Sequence, residues 1–224
     1  MRNVLALAMA VLGIAFATPS SAATVFYDDF TNPWGGSGFT TYAGGSTMGA
    51  WTVTGAGVDL IGNYWQAPNN PTGYPINNNA GSVDLSDGTV AGGIYQYITL
   101  NPGEYVLSFS LSGNPDGPPV VKEMEAVAET TIGDYEYAIK YPSGAPYNSK
   151  DDMKYVDISL VFTVSGIGPQ SVLLQFLSLD DTAYGAVIGN VAINTIPLPA
   201  ALGLFAPAVL GFGGYRFFRR RRSV

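Results

Sequence analysis

The chain has 224 residues with no histidine and no cysteine, which excludes Ser-His-Asp and Cys-His catalysis, thiolate chemistry and imidazole metal ligands. Its formal net charge is −7, yet six of the ten Lys and Arg residues are arginines at 2, 216 and 219–222. Residues 24–195 therefore set four lysines against all seventeen acids, a balance of −13 that argues against nucleic acid as a partner, because such binding rests on neutralising phosphates.

Met1, Arg2 and Asn3 make a short positive start, Val4–Ala17 an apolar run, and "TPSSAAT" a small-residue stretch. Together they match a secretory signal peptide, residues 1–23, cut after Ala22 or Ala23. An uncut N-terminal anchor is the alternative. Export leads to a compartment where disulfides form, but without cysteine the stability must come from packing, hydrogen bonds and, if present, a bound cation. About 170 residues then remain before the tail, enough for one domain with its own core, residues 24–195.

That domain reads as strands separated by Gly, Pro, Asn and Asp clusters, with no helical periodicity sustained over three turns. In "EYVLSFSL" Tyr105, Leu107, Phe109 and Leu111 share one face, and Val106, Ser108 and Ser110 the other. In "KYVDISLVFTV" Val156, Ile158, Leu160, Phe162 and Val164 form the apolar face. Both patterns are those of half-buried antiparallel strands. "TVFYDDF", "AWTVTG", "GVDLIG", "GSVDLS", "GGIYQYITL", "VVKEMEAVAET", "YEYAIKY", "SVLLQFLSL" and "GAVIGNVAI" read as further strands, with turns at "NPG" and "GD". About ten short strands so punctuated predict an all-β, single jelly-roll β-sandwich. "NPWGGSGFTTYAGGSTMG" and "APNNPTGYPINNN" read as long polar loops carrying aromatics.

From Ile196 to Tyr215 no residue is charged, and twenty helical residues at ~1.5 Å each span ~30 Å, a bilayer's hydrocarbon thickness. Arg216 and Arg219, Arg220, Arg221 and Arg222 follow, a topology signal that keeps the C-terminus cytoplasmic and everything upstream outside. Residues 196–224 are thus predicted to hold one transmembrane helix and an Arg-rich end.

Two resemblances bear on these segments. "GAWTVTGAGVDLIGNYWQAP" and "GSVDLSDGTVAGGIYQYITLNPGEYVLSFSLSGNPDGPPVVKEMEA" resemble the bacterial choice-of-anchor C family over most of residues 26–194. The resemblance implies a galactose-binding-like jelly roll with an extracellular, polysaccharide-associated role and no catalytic residues. Where the family closes on Asp-Asn-Val, this chain has Gly189, Asn190 and Val191, which puts in doubt the structural calcium that such an aspartate helps bind. The tail, with Ile196, Pro197, Leu198, Pro199 and Ala200 before the apolar run and arginines, resembles the VPLPA variant of the PEP-CTERM sorting signal. It implies an exosortase as partner, an inner-membrane-anchored precursor, and delivery to the cell surface or a biofilm matrix. A permanent single-span anchor is the plainer reading, although Pro197, Pro199 and Pro207 weaken such a helix.

For chemistry within the domain, carboxylates are what remain. Asp28–Asp29, Asp151–Asp152 and Asp180–Asp181 are adjacent doublets, and strand neighbours point to opposite faces, so none is itself the facing pair that a glycosidase needs. No catalytic residue is assigned. Asp28 or Asp29 on the first strand with Asn190 on the last could supply oxygens to a structural Ca²⁺, the one cofactor left open, against the plain reading of solvated surface acids. For glycan binding the useful groups are exposed aromatics that stack on a sugar face. Trp51 sits on an alternating strand and reads as core. Tyr64 and Trp65 open a polar loop and are the better candidates, with Trp34 and Tyr74 after them; packing of the loop is the equal alternative for Trp65. The sequence thus predicts a non-enzymatic surface or matrix module associating with exopolysaccharide or another surface glycan. The alternatives are a structural or adhesive protein binding other proteins, and a weak carboxylate-based glycan hydrolase.

Overall fold

The computed structural model describes residues 21–31, 38–62, 64–68, 80–87, 90–118, 121–129, 136–140 and 148–197. Its strands are β1 (Thr24–Asp28), β2 (Phe39–Ala43), β3 (Thr47–Met48), β4 (Trp51–Gly55), β5 (Gly57–Ile61), β6 (Ser82–Asp84), β7 (Gly92–Leu100), β8 (Gly103–Gly113), β9 (Glu123–Glu129), β10 (Glu136–Lys140), β11 (Val156–Val164), β12 (Gln170–Ser178) and β13 (Ala186–Thr195). Every segment read as a strand from its alternation is one. Strands β2 and β3 are additions inside a stretch read as loop: β2 pairs with β5 and β3 with β4. Both lie at sheet edges, and β2 buries little on either side, so it carries no apolar stripe to announce it.

All pairings are antiparallel and form two sheets. The first runs β11-β8-β13-β6-β5-β2, with β1 added on β13; the second runs β10-β9-β12-β7-β4-β3. The chain crosses repeatedly between them, and their inner faces enclose one core. Leu107, Phe109 and Leu111 of β8 and Leu160, Phe162 and Val164 of β11 meet Trp51, Val53, Ile94, Met124, Val172, Leu174 and Phe176 of the second sheet. Val156, expected on the inner face of β11, is 40% exposed at the start of its strand.

Strand β13 does two jobs along one edge. Its first half pairs with β6, Val187 opposite Asp84 and Ile188 opposite Val83; its second half pairs with β1, Val191 opposite Asp28. Between them the register with β8 shifts from Gly189 to Ala192, and Asn190 takes a left-handed φ of 49°. A strict period of two would carry the inward set from Ile188 to positions 190 and 192; the bulge moves it to Val191 and Ile193, both in the core. Asparagine tolerates the left-handed conformation better than most residues.

The limits of the domain meet. Ala23 N donates to Thr195 Oγ1 and Thr195 N to Ala23 O, both at 2.9 Å, and Ile196 N donates to Glu104 O at 2.9 Å. Among the described residues no helix is long and apolar enough to cross a membrane. The signal peptide up to residue 20, the turn at Gly133-Asp134, Leu198, Pro199, Ala200, Arg216 and Arg219–Arg222 lie outside those residues.

Candidate functional site

Two of the four aromatic candidates, Trp34 and Tyr74, lie outside the described residues. The other two pin a loop. Trp65 is 4% exposed and packs with Ile61, Met153 and Val187, with Tyr155 against them, in a small apolar cluster separate from the main core. Ile61 and Val187 alternate with inward-facing Leu60 and Ile188, so this cluster sits on the outer face of the seven-stranded sheet. Pro68 lies on Gly189, where any Cβ would collide with its ring. A second segment laces over the same face: Gln66 N donates to Lys150 O at 2.7 Å, Met153 N to Gln66 Oε1 at 3.0 Å, and Ser112 Oγ to Met153 O. At 4% exposure the Trp65 indole is buried under this loop and presents no open ring face to solvent. Tyr64 is partly exposed, but Lys150 Nζ lies 4.0 Å from its ring centroid and donates to its hydroxyl, while Phe39 meets the ring edge-on at 5.6 Å. It serves as the outer clasp of the same loop.

The first and last strands approach as expected, Asp28 opposite Val191, but the carboxylates are engaged within the protein. Asp28 Oδ2 accepts from Trp51 Nε1 at 2.7 Å and Oδ1 from Phe30 N at 2.8 Å. Asp29 Oδ1 takes the amide and hydroxyl of Thr31. Asn190 is buried at the bulge, shaping the backbone. Among the described residues no group of three His, Cys, Asp or Glu could hold a metal ion. These acids act as a turn cap and a bridge between the sheets rather than as a collected ligand set.

One end of the sandwich buries charge. Lys122 is 2% exposed, donates to Gly117 O at 2.8 Å and faces Asp180, Asp84 and the Tyr184 ring. Burial lowers its pKa to about 8 against the pull of both carboxylates. Burial likewise raises Asp84 well above the usual carboxylate range, although the Asn114 amide donates to it at 2.6 Å. A lysine whose folded pKa lies below the ordinary 10.5 gives stability that is present above the unfolded value and lost as pH falls through about 8. Melting temperature should therefore rise between about pH 8 and 9.5, by on the order of 2 kcal/mol of stability. It should turn down at higher pH, because burial raises Tyr105 and Tyr155. Lys122→Met should flatten the rise; a flat profile in the unaltered protein would refute a buried, charge-bearing Lys122.

Among the described residues the most exposed aromatic lies elsewhere, although Phe39 beside Tyr64 is also 51% exposed. On β7, Ile94 faces the core and Tyr95 and Tyr97 face out from the six-stranded sheet, Tyr97 with 66% of its surface exposed. Their ring centroids are 6.2 Å apart at 84°. Register places Thr52, Tyr95, Gln175 and Val127 in one row across the strands, and Tyr97, Leu173 and Glu129 in the next. Gln175 and Leu173 are half-buried and Thr99 and Ser171, opposite each other, are exposed. An aromatic ring standing free on a rigid sheet beside amide and hydroxyl groups can stack on a sugar and fix its orientation. Sequence reasoning passed over this pair, although the alternation of Ile94, Gln96 and Ile98 with Tyr95 and Tyr97 carried the signal.

No family model matches the chain, and no curated protein matches it. Solved structures with a related strand layout include the CBM22-1 xylan-binding domain of Paenibacillus barcinonensis Xyn10C, at 13% identity and TM-score 0.49, covering 81% of this chain and 100% of that one. Another is TmCBM61, solved with β-1,4-galactotriose, at 12% identity and TM-score 0.43, covering 66% and 90%. A family 35 carbohydrate-binding module from Clostridium thermocellum matches at 11% identity and TM-score 0.38, covering 69% and 96%. At these values the likeness carries no ligand across to this chain.

Proposed function

We propose that the chain is an exported protein of the cell surface or extracellular matrix whose β-sandwich holds polysaccharide, without catalysis, on the outer face of the six-stranded sheet. The observation that carries the reading is Tyr97, a large aromatic left two-thirds exposed on a regular strand beside Tyr95 and Gln175. Burying such a ring against a sugar recovers apolar area that the fold itself leaves in water. A signal-peptide-like start, the IPLPA motif, the uncharged run and the arginines support delivery through the inner membrane by an exosortase.

Titrating the detergent-solubilised protein with the producing cell's exopolysaccharide, in calcium and then in chelator, tests the binding. Tyr97→Ala should weaken it about tenfold, near 1.4 kcal/mol, with melting temperature unchanged because the side chain packs little. Saturable binding indifferent to Tyr97 and Tyr95 would remove this face from the reading. For the tail, the mass of surface-recovered protein should lack Arg216 and Arg219–Arg222; only intact tails at steady state would make the helix a permanent anchor.

A further inference from the structure

Lys122, Asn114 and Asp84 gather at the end of the sandwich where the chain passes from β8 to β9, that is, from the first sheet to the second. All three are buried, at 2%, 7% and 2% exposure. The carboxamide of Asn114 is held at both ends. Its Oδ1 accepts from Asp116 N at 2.8 Å, and its Nδ2 donates to Asp84 Oδ2 at 2.6 Å. Lys122 Nζ is anchored on Gly117 O at 2.8 Å, three residues along the turn that begins at Asn114, and the carboxyls of Asp180 and Asp84 attract it. Among the described residues no carboxylate comes as close to it as an ion pair.

We propose that Lys122 and Asn114 join through an isopeptide bond that the protein forms on itself, with Asp84 moving the proton. The neutral amine of Lys122 leaves Gly117 O and attacks Asn114 Cγ, while the Asp116 N–H holds the oxygen on which charge develops. An amine proton passes through the Asp84 carboxyl to Nδ2, the Cγ–Nδ2 bond breaks and ammonia departs. Asp84 ends with the proton it began with, and nothing is oxidised or reduced. Burial favours the two protonation states required, since it lowers Lys122 to about 8 and raises Asp84 well above the usual carboxylate range. The amide also removes a buried charge that is costly where it stands. Pro115 closes the competing route, because the next residue has no backbone N–H to attack the asparagine side chain. In a chain without cysteine, the bond gives the crossover between the sheets the covalent tie that a disulfide supplies elsewhere. A linked Lys122 no longer titrates, so the rise in melting temperature above about pH 8 belongs to chains in which the bond has not formed.

The test is peptide mapping of the detergent-solubilised full-length protein after incubation at mildly alkaline pH, with a cooperative melt as the check of folding. A protease that cuts after glutamate releases residues 105–123, whose one lysine is Lys122 and whose one asparagine is Asn114. That peptide should be lighter by one ammonia, and trypsin should fail to cut it after Lys122. Asp84→Asn should leave it at full mass and cleavable although both partners remain, and Lys122→Met should keep the ammonia. Should either variant fail to fold, the unaltered protein still decides. A full-mass peptide cut normally after Lys122 in folded, unaltered protein would overturn the proposal. Loss of water, with Lys122 joined to Asp116 or Asp180, would overturn the choice of Asn114.

Discussion

Trp51→Ala is expected to cost about 4 kcal/mol of folding stability, the upper part of the range for a buried aromatic. The indole is 1% exposed, and Phe26, Phe30 and Phe176 surround it at centroid distances of 6.1, 5.8 and 5.9 Å. Phe26 belongs to the first sheet and Phe176 to the second, so the ring is a shared contact of both layers. Its Nε1–H donates to Asp28 Oδ2, again from one sheet to the other. Trp51→Phe separates the two contributions. It keeps most of the apolar contact but takes the donor from a part-buried carboxylate, a loss of about 1–3 kcal/mol. Urea unfolding of both variants measures the split. A phenylalanine variant as stable as the parent would mean that the indole–carboxylate bond adds nothing, and that packing alone holds the sheets together here. Against a net stability of about 5–15 kcal/mol for an ordinary domain, the alanine variant leaves little margin at growth temperature.

The sandwich was legible because its inner faces obey period two. Leu107, Phe109 and Leu111 and then Leu160, Phe162 and Val164 declare one buried side without reference to the rest of the chain. The same logic placed Trp51, which shares the inner face with Val53 on either side of outward Thr52. Alternation misleads, however, where the polar residue goes inward. In "IYQY" Gln96 is 8% exposed, next to outward-facing Tyr95 and Tyr97, so the most hydrophilic of the three side chains takes the core side and the tyrosines the solvent side. The three residues alone do not settle that inversion; the flanking Ile94 and Ile98, packed inward at the same period, do. Loops have no period at all. Whether Trp65 stacks on a ligand or on its own protein depends on a second segment about 85 residues later, Lys150 to Met153, folding over the same sheet face. The aspartate doublets were unreadable for a related reason: Asp28 turns toward Trp51 while Asp29 caps Thr31, and only tertiary structure assigns those partners. The bulge at Gly189-Asn190 was read through a family resemblance as a missing calcium ligand, whereas in the fold these residues reset the facing of the last strand.

Trp65→Ala then decides between the two roles that one residue was given. Its burial among Ile61, Met153 and Val187 predicts a loss of about 3 kcal/mol, at the lower end for a buried tryptophan because the cluster is small and lies under a loop that can partly close. The face proposed to hold glycan is the outer side of the other sheet, with the main core between, so on that proposal the affinity of the remaining folded protein should not change. Sites that share no contacts should combine additively, and Trp65→Ala with Tyr97→Ala should show the sum of a stability loss and an affinity loss without coupling. Unfolding midpoints and glycan titrations on the two single variants and the double variant give all the terms. Lost affinity in fully folded Trp65→Ala would return the loop to the binding surface and would require a ligand that reaches both sheets. Lost stability with intact affinity fixes Trp65 as the residue that holds the 64–68 and 148–155 segments down, keeping Ser110, Ser112 and Asp84 buried on that face, while the tyrosines meet the outside.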